Sequence, residues 1–157
     1  MAANRVRIAK DKADLVKALT VSENSDSAPF QTYADTVVFA ASLGAKRKRK
    51  SPLKDFSKRE PAPIGLDVFL SRGYDRVIKL LAVTQTQDTH ILSPTDPECE
   101  AQRVAIFEEY ANGGLEILRE ELRGAVDYTE RLLLMAIGDR FHASQSPEEF
   151  DLTRFLG

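Results

Sequence analysis

Six apolar residues in the C-terminal half, Val104, Phe107, Ala111, Leu115, Leu118 and Leu122, recur at intervals of three or four positions. That spacing lines one face of an α-helix and fits no strand, whose faces repeat every second residue. A stripe this apolar has to be covered. Either the chain wraps its own helices around it and it forms the core, or a second copy covers it and it becomes a homo-oligomer seam.

The same period marks other segments. Leu15, Val16 and Leu19 predict a helix from Asp11 or Lys12 to about Thr20. Ala34, Val37, Val38, Phe39 and Ala41 predict another from about Thr32 to Leu43, with Gly44 as its C′ cap. Val77, Ile78, Leu80, Leu81 and Val83 predict a third from Tyr74 to about Thr86. Asp96 and Pro97 suit the N-cap and first position of the helix that carries the long stripe. Tyr128, Leu132, Met135 and Ile137 predict a last helix from Asp127 to about Phe141. Ser146-Pro147-Glu148-Glu149 reads as a further cap-like start. Two segments have the strand period instead, Arg5–Ile8 and 64–68, and are expected to pair as a minor ribbon. The 157 residues therefore read as one mainly α domain, residues 1–157: a compact bundle of about five or six helices with a two-stranded ribbon.

Asn112-Gly113-Gly114 interrupts the long stripe. Two glycines cost a helix about 2 kcal/mol against alanine. Either the helix breaks there, or a neighbour packs on bare backbone, or the amides form a nest for an anion. No Lys-Ser/Thr pair follows, as a phosphate-binding P-loop would require, so packing is the preferred reading.

Charge is distributed unevenly. The net charge is −2, yet Lys46, Arg47, Lys48, Arg49, Lys50, Lys54, Lys58 and Arg59 face a single acid, Asp55, within residues 46–59. Pro52, Pro61 and Pro63 mark that stretch as loop. Residues 96–151 carry fourteen acids against five arginines. Long flexible cations gathered on a loop suit phosphate contacts, which supply the sequence-independent part of DNA affinity. They suit equally the acidic face of a partner protein, or a loop that merely stays solvated. No aromatic interleaves the run Lys46–Lys50, so base stacking is not indicated. The DNA reading requires these side chains to be free of the chain's own carboxylates.

Catalytic signals are sparse. Cys99 is the only cysteine, which forbids an internal disulfide and a Cys-rich structural zinc site, and suits a reducing compartment. Glu98 and Glu100 flank it and would raise its pKa. His90 and His142 are the only histidines, and neither has ligand spacing. Asp88 and His90 would need the distant Glu108 and Glu109 to make a metal or acid–base site. No catalytic residue, metal ligand or cofactor is assigned on this basis. The N-terminal seventeen residues lack the apolar core of a signal peptide, and no stretch approaches the ~20 apolar residues of a membrane span.

Three segments, Arg5-Val6-Arg7-Ile8-Ala9-Lys10-Asp11-Lys12, Val38-Phe39-Ala40-Ala41-Ser42-Leu43-Gly44 and Ile106-Phe107-Glu108-Glu109-Tyr110-Ala111-Asn112-Gly113-Gly114-Leu115-Glu116-Ile117-Leu118, together resemble the DNA phosphorothioation-associated accessory family, Dnd system-associated protein 4. The resemblance runs from about Arg5 to Leu122. It implies a bacterial, cytoplasmic protein working beside machinery that replaces a non-bridging phosphate oxygen of DNA with sulfur and restricts unmarked DNA in antiphage defence. It supplies no catalytic residue. The resulting expectation is a non-enzymatic accessory that touches DNA, phosphorothioated or not, or DNA-bound Dnd proteins, through the 46–59 loop. An adaptor that binds partner proteins only is the alternative, and a metal-dependent nuclease stands third.

Overall fold

The computed structural model describes residues 5–23 and 25–144. The Ser146–Glu149 cap expectation lies outside the described residues. Among those described, the chain forms β1 (Arg5–Val6), a 3-10 turn at Lys10–Lys12, α1 (Ala13–Ala18), α2 (Tyr33–Lys46), β2 (Ile64–Gly65), α3 (Leu66–Ser71), α4 (Asp75–Thr86), a 3-10 turn at Thr89–Leu92, α5 (Pro97–Glu121) and α6 (Tyr128–Ser144). The mainly α architecture with a two-stranded ribbon is as expected. β1 and β2 pair antiparallel, Arg5 with Gly65 and Val6 with Ile64.

α5 is the spine, packed mainly against α2 and α4. Asp96 caps it by accepting the Glu98 amide at 2.9 Å, with Pro97 following. All six residues of the long stripe are buried, and Phe107 meets Phe69 edge-to-face at 5.5 Å. The stripe is therefore core, covered by the chain's own helices, and is not a surface left over for a second copy. A smaller apolar cluster, Ala82, Ile91, Cys99 and Ile106, closes the turn between α4 and α5.

One preferred reading holds and two expectations change. First, the packing reading of the glycine pair holds, with α5 running unbroken through Asn112-Gly113-Gly114. A Cβ on Gly114 would overlap the Ala40 carbonyl, and one on Gly113 the Arg49 carbonyl. The glycines let α2 and the chain after it press on α5, and that contact offsets their poor helix propensity. Second, Gly44 is not a cap. α2 continues to Lys46, and a Cβ at Gly44 would collide with the Tyr110 carbonyl of α5. Lys48 takes the left-handed turn instead, at φ 54°, while the Lys48 and Arg49 amides donate to Ala45 and Gly44 carbonyls. Third, the strand at 64–68 stops at Gly65 and α3 begins at Leu66, burying Phe69.

α2 starts with a capping box. The Asp35 amide donates to Thr32 Oγ1 at 3.2 Å, and the Thr32 amide to Asp35 Oδ2 at 3.1 Å. The Asp35 carboxylate also accepts from Arg72 Nε and Nη2, each at 3.0 Å, and from the Tyr74 hydroxyl, tying α2 to the segment between α3 and α4.

Candidate functional site

The basic segment leaves α2 at Lys46 and crosses α5 at the glycine pair. Its backbone is tied down. The Ser51 amide donates to the Glu109 carbonyl at 3.0 Å, and the Ser51 hydroxyl to Glu116 Oε1 at 2.7 Å. Asn112 Nδ2 donates to the Ser51 and Pro52 carbonyls at 3.2 and 3.3 Å. Further on, the Lys10 amide donates to the Asp55 carbonyl and the Ser57 amide to the Ile8 carbonyl, both at 2.9 Å. The segment is a strap held on both sides, rather than a free loop.

The eight expected cations divide into two groups. Lys46 lies 3.6 Å from Asp139, and Arg47 reaches Glu121 at 3.2 Å and Asp139 at 3.4 Å. Arg49 meets Glu120 at 3.1 Å, and Lys50 meets Glu109 at 3.6 Å. These four face the acidic side of α5 and α6, so half of the eight cations are balanced inside the chain. Lys48, Lys54, Lys58 and Arg59 are exposed and have no carboxylate within ion-pair distance among the described residues. Exposed ion pairs are worth only ~0–1 kcal/mol each. The inner four are positioned by their partners more than they are locked by them.

Beneath the strap lies a polar cluster that sequence reasoning missed. Lys12 is only 3% exposed, and its ammonium donates to Asp11 Oδ2 at 3.1 Å and Asn112 Oδ1 at 3.2 Å, with Glu116 at 3.9 Å. Asn112 thus bridges a buried lysine on one side and the strap backbone on the other. Partial burial by itself would raise the Asp11 carboxyl, but the Lys12 hydrogen bond and the Lys12 and Arg119 charges outweigh it and hold it below the usual value. A cleft of about 620 Å³ opens here, lined in part by Lys10, Lys12, Lys54 and Asn112. Alongside, Glu108 is buried and takes three N–H groups from Arg7: the amide at 2.6 Å, and Nε and Nη2 at 3.0 Å each. The hydrogen bonds to Glu108 raise the Arg7 guanidinium pKa against the opposing effect of burial, and Arg7 also stacks over Phe56 at 4.1 Å. These partners lie about a hundred residues apart in sequence, so no local pattern announces them.

The acid–base grouping considered from sequence is not assembled. Glu108 belongs to Arg7 and Glu109 to Lys50. Asp88 accepts the His90 amide at 2.9 Å as a local cap. The Cys99 thiol is pushed up, but mainly by burial and then by its hydrogen bond to Asp96, not by the flanking Glu98 and Glu100. Among the described residues, His90, Asp96 and Cys99 are the three ligand-type side chains that converge, all within 4.8 Å of one another. No helix among the described residues is long and apolar enough to cross a membrane.

The three segments that carry the sequence resemblance meet in space: Arg7 with Glu108, Lys12 with Asn112, and Ala40 and Gly44 with the 113–114 pair. Residues 5–155 match the family model described as DNA sulphur modification system-associated protein 4. No curated relative and no solved structure matches the chain.

Proposed function

Since this chain belongs to the family of DNA sulphur modification system-associated protein 4, we propose that it is a non-enzymatic accessory of that system and docks on DNA, or on a DNA-bound partner, through the outward half of the basic strap. The supporting observation is the split of the cations. Lys48, Lys54, Lys58 and Arg59 face solvent, on a backbone that Asn112, Ser51 and the Gly113 contact hold in place. A preordered strap loses less conformational entropy on meeting a polyanion than a floppy loop does.

The arrangement supports weak, sequence-independent DNA contact. About four phosphate contacts give a log–log salt slope near −4 or slightly shallower. Fluorescence anisotropy with a short duplex at two salt concentrations measures it. Changing Lys48, Lys54, Lys58 and Arg59 to glutamine should abolish binding while leaving the helical circular dichroism intact. Equal binding by that variant, or no salt-sensitive binding by the native chain, rejects the DNA contact.

A second reading is favoured by the inner ion pairs. The Lys46–Lys50 edge alternates with Glu109, Glu120, Glu121 and Asp139, which makes a mixed-charge surface suited to a protein partner. Pull-down from cells carrying the neighbouring genes separates the two. Partners retained after nuclease treatment point to the protein-only adaptor, and partners lost point to DNA.

A further inference from the structure

The turn between α4 and α5 holds a second constellation that the strap does not use. Gln87 ends α4 in a left-handed conformation, at φ 55°. Asp88 then caps the following 3-10 turn through the His90 amide, and the Ser93 amide closes on the His90 carbonyl at 3.0 Å. From α5, the buried Arg103 donates to the Ile91 and Ser93 carbonyls at 2.6 and 3.0 Å. The backbone that carries His90 is thereby fixed against the first turns of α5, which carry Asp96 and Cys99.

Within that frame the side chains converge. Asp96 spends one oxygen, Oδ1, on the Glu98 amide. Its other oxygen, Oδ2, lies 3.4 Å from Cys99 Sγ and 3.7 Å from His90 Nε2. Tetrahedral zinc with bonds of about 2.0 Å to oxygen and nitrogen and about 2.3 Å to sulfur sets neighbouring ligand atoms roughly 3.3–3.6 Å apart. The spacings found here are therefore close to the edges of such a tetrahedron, and the exposed imidazole is free to rotate through the remainder. The Asp96 Oδ1 bond is the kind of outer hydrogen bond that orients a ligating carboxylate.

We propose that His90, Asp96 and Cys99 bind one divalent transition metal ion of the zinc class, with water in the fourth position. The donor set of imidazole, carboxylate and thiol suits a borderline-soft ion and not magnesium or calcium, which take oxygen ligands. Bound there, the ion clamps the crossover from α4 to α5. The site escapes sequence inspection because its ligands are separated by five and then two residues across an irregular turn.

The test uses the full chain stripped with chelator and titrated with Zn²⁺, and with Co²⁺ as a spectroscopic probe. One equivalent of Zn²⁺ should bind and raise the melting temperature. The Co²⁺ form should show a thiolate charge-transfer band in the near ultraviolet and the visible bands of tetrahedral geometry. Cys99→Ser should remove the charge-transfer band, and His90→Ala and Asp96→Asn should each weaken Zn²⁺ at least about tenfold. His90 is largely exposed, so His90→Ala keeps the test valid even if Cys99→Ser unfolds the chain. No stoichiometric binding, a Co²⁺ spectrum without thiolate character, or binding unaffected by His90→Ala overturns the proposal.

Discussion

Replacing Gly114 by alanine adds one methyl group at the tightest crossing in the molecule. The new Cβ would fall on the carbonyl of Ala40, with the Ala40 carbonyl carbon and Cα also too close. These are backbone atoms of α2 and cannot rotate away, so the helices have to separate. Alanine is favoured over glycine in a helix interior by about 1 kcal/mol. Overpacking typically costs about 1–3 kcal/mol and sometimes more, and a rigid obstacle puts this site at or above the upper end. The net loss is then about 2–3 kcal/mol. For a chain of this size each kcal/mol moves Tm by about 2–4 °C, so a drop of roughly 4–12 °C follows. Gly138 in α6 supplies the internal control, because a Cβ there meets nothing within 4 Å. Gly138→Ala should raise stability by up to about 1 kcal/mol. Thermal melts followed by circular dichroism compare the two directly. If Gly114→Ala melts as high as the native chain, or higher, the glycine pair is not there for close packing and the account of α2 against α5 is wrong.

Two further predictions concern polar groups. Glu108→Ala strands the Arg7 amide and guanidinium beside a buried gap. Breaking a buried pair costs about 3–5 kcal/mol, and because the Arg7 side chain is 48% exposed the loss should be nearer about 2 kcal/mol. Urea midpoints measure it, and a midpoint unchanged from the native chain would show that the pair contributes nothing. Burial alone would raise the Asp35 carboxyl, but hydrogen bonds from Tyr74 and Thr32, together with Arg72, outweigh it and hold the folded-state pKa below the ordinary 3.8. A depressed carboxyl contributes stability that is present above its unfolded-state pKa and is lost as pH falls through the folded value. The native chain should therefore lose more stability below about pH 4 than Asp35→Asn does. Parallel pH–Tm curves for the two proteins would contradict this.

The sequence alone determined the periodic elements of this protein. The stripe on α5 repeats with the helix and is apolar enough that burial is unavoidable. The Asp96-Pro97 cap was legible because it depends on neighbouring residues and local backbone geometry, whereas the two short strands pair across about sixty positions. The concentration of cations at 46–59 was equally plain. What those cations do was not legible, because it depends on carboxylates 59 to 93 positions away that α5 and α6 bring alongside. The glycines show the same division. Gly44 resembles a helix terminator, yet it is a point of helix contact; Gly113-Gly114 read as a packing site, but which backbone it meets, Ala40 and Arg49, was decided by what arrives from elsewhere. Lys12 with Asn112, Arg7 with Glu108, and His90 with Asp96 and Cys99 are likewise set by packing. Periodicity records which face of an element must be buried, and only the assembled chain decides which polar groups that burial brings within bonding distance.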